Sequence, residues 1–148
     1  MSNYGTIALA DAFFLERLST EVWDNAVVAD RTAALVTATK AIERLNFAGE
    51  VETLGQEFQF PRTDDTEVPQ DILDATYLCA LALLDGVDLE LEQEMVGVNS
   101  DAYSGVRTTY DSHSRQDHIK AGIPSYEAWM ILLPYLRDPL EVTLRRVS

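Results

Sequence analysis

The chain has 148 residues, 47 % of them apolar, and a formal net charge of −14. That length and apolar content suit one domain with a real core and exclude a disordered tail. The charge has the wrong sign for a protein that holds nucleic acid through a basic patch.

In chain order, residues 7–18 read as a first helix. Thr6 is placed to cap it, and Ile7, Ala10, Phe14 and Leu18 fall on one face. Residues 19–25 form a break that carries Trp23. Residues 30–46 give the clearest helical pattern, with Asp30 as the cap candidate and Leu35, Ala38, Ile42 and Leu45 as the buried side. Ala33, Ala34, Ala38 and Ala41 favour helix and let a neighbouring helix approach closely.

Residues 47–68, with Gly49, Gly55, Pro61 and the Asp64-Asp65 pair, read neither as helix nor as strand. A loop this long inside a compact domain is usually functional or interface-forming. A third helix spans 69–85, opened by Pro69 and ended by Gly86. It is apolar over most of its circumference after Tyr77, which predicts a central position or burial by another subunit.

Residues 87–121 lose helical periodicity. The turn signal Ser104-Gly105, with flanks 94–103 and 106–110, suggests a loose β-hairpin, and 111–120 reads as an exposed polar loop. A last helix over 124–137 is opened by Pro124 and carries Tyr126, Trp129, Met130, Leu133 and Leu136 on one face, with a kink expected at Pro134. The tail 138–148 alternates loosely through Val142, Thr143, Leu144 and Arg145. It reads either as disordered or as a strand added to a partner. The fold class is therefore mainly α: about four helices in a small bundle over residues 1–137, a protruding loop or hairpin at 87–121, and an extended tail. The core is expected around Phe14, Leu35, Ile42, Leu83, Trp129 and Leu133.

The charge is unevenly spread. Residues 50–94 hold 13 acids and a single base, Arg62, for a net −12; residues 1–49 carry −2, and residues 95–148 carry none. This acidic middle reads as a solvated face, or as a surface that DNA slides past without sticking. The apolar runs are only a few residues long, so no membrane span is expected, and the opening Met-Ser-Asn-Tyr-Gly does not read as a secretory signal. The lone Cys79 excludes an internal disulfide framework, fits a reducing compartment, and within an apolar helical face reads as a small hydrophobe.

Motifs for catalysis are missing. There is no Gly-x-Ser-x-Gly elbow, phosphate-binding loop or dinucleotide-binding turn. His113 and His118 lie five apart, where metal-binding pairs usually use three or four, so with Asp111 and Asp117 they read as an exposed polar loop. The carboxylates are too numerous for sequence to single out an acid–base pair. Trp23, Phe58, Phe60, Tyr77, Trp129 and Tyr135 are candidate platforms for bases, yet interleaved lysine and arginine are scarce. Packing in the core or at a subunit interface is the better reading. No enzyme, metal or cofactor is expected.

The order of features carries a resemblance. Tyr4-Gly5-Thr6 leads into Ala10-Asp11-Ala12-Phe13-Phe14, then Trp23 and the Ala-Thr helix from Ala33 to Glu43. Phe47-Ala48-Gly49, Gln56-Glu57-Phe58-Gln59-Phe60-Pro61-Arg62, Val68-Pro69 and Leu132-Leu133-Pro134-Tyr135-Leu136 follow. This resembles the phage family labelled DnaT-like single-stranded DNA-binding proteins, and also the helical head–tail connector (adaptor, head-completion) proteins of tailed bacteriophages. The likeness covers residues 4–84 and, by a short motif, 132–136.

It implies a virion protein of the head–tail neck, made in the host bacterial cytoplasm. Such subunits form a ring, commonly of twelve copies, beneath the portal. The implied partners are sister copies, the portal protein, tail or tail-completion proteins, and double-stranded DNA that passes without tight binding. Twelve copies at −14 carry −168 before counterions, which suits a conduit better than a DNA binder. The alternative is a phage single-stranded DNA-binding protein. For ring contacts the candidates are Phe58, Phe60 and Arg62, the last forking onto a neighbour's carboxylate. For docking on portal or tail they are Val142, Leu144, Arg145, Arg146 and Val147.

Overall fold

The computed structural model describes residues 3–63, 65–96, 100–103, 106–109 and 117–137. Helix α1 (Ile7–Leu15) starts at Thr6, whose hydroxyl accepts the Leu9 N–H at 3.2 Å, the cap expected from the sequence. It stops three residues earlier than expected. Arg17 N–H turns back to the Phe14 carbonyl at 3.1 Å and Ser19 takes φ +61°, so Leu18 leaves the inner face and is 91 % exposed. The expected break at 19–25 contains a short helix, α2 (Glu21–Asn25). Its Trp23 is fully buried and donates its indole N–H to Asp11 Oδ1 at 2.7 Å, the partner that a buried indole requires.

Helix α3 (Val28–Glu43) begins two residues before Asp30. Val27 stands at the cap without a side-chain bond, and Asp30 lies in the first turn, where its carboxylate favours the positive end of the helix dipole. Its buried face is Ala34, Leu35, Ala38, Thr39, Ala41 and Ile42. Small residues there bring it close to α4 (Gln70–Leu84). Helix α4 is the hub, packed against α1, α2, α3 and α7 (Tyr126–Leu132), and every residue from Ala75 to Ala80 is buried. Gly86 at φ +92° ends it. Its N–H reaches the Leu83 carbonyl and the Val87 N–H reaches Ala82, both at 3.2 Å, which satisfies the last orphan carbonyls.

The region expected to lack helix contains two. Helix α5 (Leu89–Val96) is capped by Asp88 Oδ1, which accepts from Glu90 N at 3.1 Å and Leu91 N at 3.3 Å. Its Leu-Glu-Leu-Glu opening imitates the period of two of a strand, which hides it in the sequence. Strands β1 (Ser100–Tyr103) and β2 (Val106–Thr109) pair antiparallel, Ser100 opposite Thr109 and Tyr103 opposite Val106. The turn expected at 104–105 lies outside the described residues. Helix α6 (Asp117–Lys120) buries Ile119 where an exposed loop was expected, while 111–116, with His113, lie outside the described residues.

Helix α7 starts at Tyr126, two residues after the expected opening at Pro124, and is capped by Ser125, whose hydroxyl accepts from Ala128 N at 3.2 Å. The break expected at Pro134 is present as a 3-10 turn over Leu133–Tyr135. The architecture is mainly helical, as the sequence implied.

Phe14, Leu35 and Ile42 lie in the core together with Trp23, Ile72, Leu78 and Leu132. Three expectations shift. Leu83, on the last turn of α4, and Trp129 are only half-buried, and Leu133 is 40 % exposed. Helix α7 buries Ala128 and Leu132, four residues apart, and that choice rolls Tyr126, Met130 and Leu133 outward. The tail 138–148 lies outside the described residues.

The chain enters the bundle at Gly5, at φ +72°, where an added Cβ would stand 2.4 Å from the buried Tyr77 hydroxyl. Gly5→Ala is expected to destabilise by about 1–3 kcal/mol, from backbone strain and overpacking together. A urea titration should show a lower midpoint at an unchanged slope.

Candidate functional site

The segment from Phe47 to Val68 is the least regular part of the described chain, and its backbone polar groups need partners from outside a helix or sheet. Part of the answer is local. Val51 and Arg62 form an isolated antiparallel bridge, with Glu52 N–H to Pro61 O at 3.1 Å and Thr63 N–H to Glu50 O at 2.9 Å. A second bridge, Phe47 with Leu136, ties the segment to the end of the chain, where Ala48 N–H donates to Tyr135 O at 2.9 Å and Arg137 N–H to Asn46 O at 3.0 Å. The Phe60–Pro61 peptide is cis.

Arg62 supplies much of the rest. Its Nε donates to the Ala48 carbonyl at 2.7 Å, Nη2 to Gly49 at 2.5 Å and Phe47 at 3.4 Å, and Nη1 to the Gln59 carbonyl and side-chain oxygen, both at 3.3 Å. A planar fork with five donors can serve several carbonyls at once. Gln59 does the complementary work at the end of α3. Its side-chain amide donates to the carbonyls of Glu43 and Leu45, each at 2.7 Å, and its backbone N–H donates to the Glu43 carboxylate at 3.0 and 3.1 Å.

The same carboxylate accepts the Tyr4 hydroxyl, which in turn accepts the Phe60 N–H at 3.3 Å. Tyr4 N–H ends on Thr39 Oγ1 at 3.0 Å. One polar network thus joins the entry of the chain, the C-terminal end of α3 and the loop. Burial, and then the Glu43 carboxylate, hold the Tyr4 phenol protonated far above its ordinary value of 10.0. Tyr135 is pinned to the first turn of α4 through Asp71 Oδ2 at 2.7 Å. That bond is the main reason its phenol is pushed up to about 12. Burial at the hub likewise pushes the Cys79 thiol up to about 12.

The residues offered for ring contacts are therefore engaged inside their own chain. Phe60 is buried against Phe47 at 4.7 Å and Tyr135 at 6.1 Å between ring centroids; Phe58 is half-buried against Tyr4 at 4.9 Å. Arg62 stacks over Phe60 and spends its fork on its own loop, so the expected pairing with a neighbour's carboxylate meets a guanidinium already saturated. Sequence reading missed Tyr4, Glu43 and Gln59. Their partners lie 14 to 56 residues away in the chain, and no local pattern announces such pairs. Val142, Leu144, Arg145, Arg146 and Val147 lie outside the described residues.

Other cations are also turned to internal use. Arg17 pairs with Glu127 at 2.7 Å, and Arg31 with Asp11 at 3.6 Å while it donates to the carbonyls of Trp23 and Asp24. Arg137 donates to Gly49 O at 3.4 Å. Lys40, Arg44 and Lys120 are exposed without an ion pair among the described residues. The large aromatics Trp23, Tyr4, Tyr77, Phe14 and Phe47 are fully buried, which removes them as stacking platforms. His118 is half-buried, its Nδ1 2.8 Å from the Ile123 carbonyl and its ring 5.8 Å from Tyr126. Among the described residues no three His, Cys, Asp or Glu side chains converge on a metal position, and no helix is long and apolar enough to cross a membrane.

Two outcomes follow from the network. Arg62→Lys keeps the charge and loses the fork, and is expected to cost about 0.5–1.5 kcal/mol in chemical denaturation, because several exposed or half-buried carbonyls lose a shared donor. The raised Cys79 thiol and the raised phenols of Tyr4, Tyr77 and Tyr135 leave stability unaffected below pH about 9, where folded and unfolded chains both keep these protons. Above that the unfolded chain releases them first, so stability falls as pH rises toward about 12. Denaturant titrations in a pH series, with phenolate absorbance alongside, check this.

No curated protein and no solved structure matches the chain. A family model described as "Putative DnaT-like ssDNA binding protein" matches residues 2–147, nearly the whole sequence. That description gives the family a single-stranded DNA-binding role, and the chain belongs to this family.

Proposed function

We propose that the chain is a non-catalytic structural subunit of the head–tail neck of a tailed phage. Copies assemble as a ring beneath the portal, extend the DNA channel and offer a platform to tail proteins. Twelve is the copy number that the resemblance implies.

The observation that carries this reading is how the chain spends its aromatic and basic side chains. A single-strand binder presents stacking rings beside a cationic groove. Among the described residues Tyr4, Phe14, Trp23, Phe47 and Tyr77 are buried while Tyr126 is exposed, Arg62 is committed to its own loop, and residues 50–94 leave a net −12. A surface of that sign repels phosphate, which favours passage over capture. The resemblance in residues 4–84 extends to connector proteins as well as to the DnaT-like family, and so is compatible with this reading.

The family description favours a second reading, a single-stranded DNA-binding protein. The exposed Lys40, Arg44 and Lys120 are the described groups on which it would rest.

One pair of measurements separates the two. Mass photometry of the chain mixed with portal particles is expected to show several copies added per portal. Fluorescence anisotropy with a single-stranded oligonucleotide at about 50 mM salt, where phosphate contacts are strongest, is expected to show no tight binding. Tight, salt-sensitive binding together with indifference to portal would overturn the structural reading and establish the second.

A further inference from the structure

The described surface offers two patches that do not match their surroundings. The first is the outer side of α5. Leu89 is half-buried and Gln93 donates its amide to the Ile119 carbonyl, so these two turn toward α6. A helix advances about 100° per residue, so Leu91 then points away from the body of the protein. It is 53 % exposed, and exposed Glu90, Glu92 and Glu94 ring it. The second is a shallow groove of about 240 Å³ between α3 and the end of α4, lined by Asp30, Ala33, Ala34, Thr37, Leu83 and Leu84. Lys40 and Arg44 continue the α3 side of that groove, exposed and without an ion pair among the described residues. Asp30 lies at its opposite end.

We propose that α5 of one copy docks in the α3–α4 groove of the next, with Leu91 on the Leu83 and Leu84 floor and its flanking glutamates on Lys40 and Arg44. This rests on the ring reading and names its contact. Charge selects the occupant. A partner for Lys40 and Arg44 must bring acids with an apolar centre, and the chain itself carries that combination on α5. The contact joins two different surfaces, one given and one received, the type that closes into rings.

Charge exchange tests it. Lys40→Glu with Arg44→Glu makes the groove acidic; Glu90→Lys, Glu92→Lys and Glu94→Lys make α5 basic. All five positions are exposed, so neither variant disturbs the core. In sedimentation velocity at low salt, with and without portal, each variant alone is expected to associate roughly tenfold more weakly or worse than the wild type. An equal mixture of the two variants is expected to associate again, because every contact then pairs opposite charges. Wild-type assembly that both variants reproduce would overturn this contact and leave the ring reading standing. A wild type that stays monomeric, alone and with portal, overturns both. Loss of oligonucleotide binding by the groove variant, without any change in association, assigns Lys40 and Arg44 to phosphate and also overturns the contact.

Discussion

An irregular segment of some twenty residues folded against a bundle must find a partner for nearly every backbone amide and carbonyl it hides from water. In this chain the guanidinium of Arg62 and the amide of Gln59 answer that demand, with the Glu43 carboxylate as the point where loop, helix end and chain entry converge. Removing one donor exposes several acceptors at once, so the segment is held as a unit. The bundle supplies the apolar anchor points, and the polar network decides where the loop lies on it.

That arrangement changes the meaning of the basic residues. In a chain of net charge −14, an unengaged arginine is free to meet phosphate or a partner's carboxylate. Arg17, Arg31 and Arg62 are engaged within the chain, with Glu127, with Asp11 and with the chain's own carbonyls. Among the described bases, Lys40, Arg44 and Lys120 remain exposed without an ion pair, against an acidic majority. The family is described as putative single-stranded DNA-binding proteins, while the largest of the described rings are turned into the core.

Much of the helical scaffold was legible because it rests on periodicities that operate over a single turn. The Thr6 cap, the alanine-rich face of α3, Gly86 after α4 and the break at Pro134 all follow from local chemistry. Helix α5 escaped because leucine and glutamate alternate at its start, a pattern that a strand would also show. The outward roll of Leu133 escaped because Tyr126, Met130 and Leu133 form as good a helical stripe as Ala128 and Leu132. Only the shape of α4 decides between them. The candidate site was half legible. Phe58, Phe60 and Arg62 stood out as residues, but their partners Tyr4, Glu43 and Tyr135 come from distant parts of the chain and could be found only in three dimensions.

The lone thiol at the centre of this scaffold has a use of its own. Cys79 sits on the helix that touches four others, fully shielded and held in the unreactive protonated form. A thiol reagent therefore reaches it only when the hub parts from its neighbours, so its labelling rate under native conditions is a built-in clock for the rarest and largest opening of the molecule. Frayed ends and surface loops open far more often, and the clock ignores them.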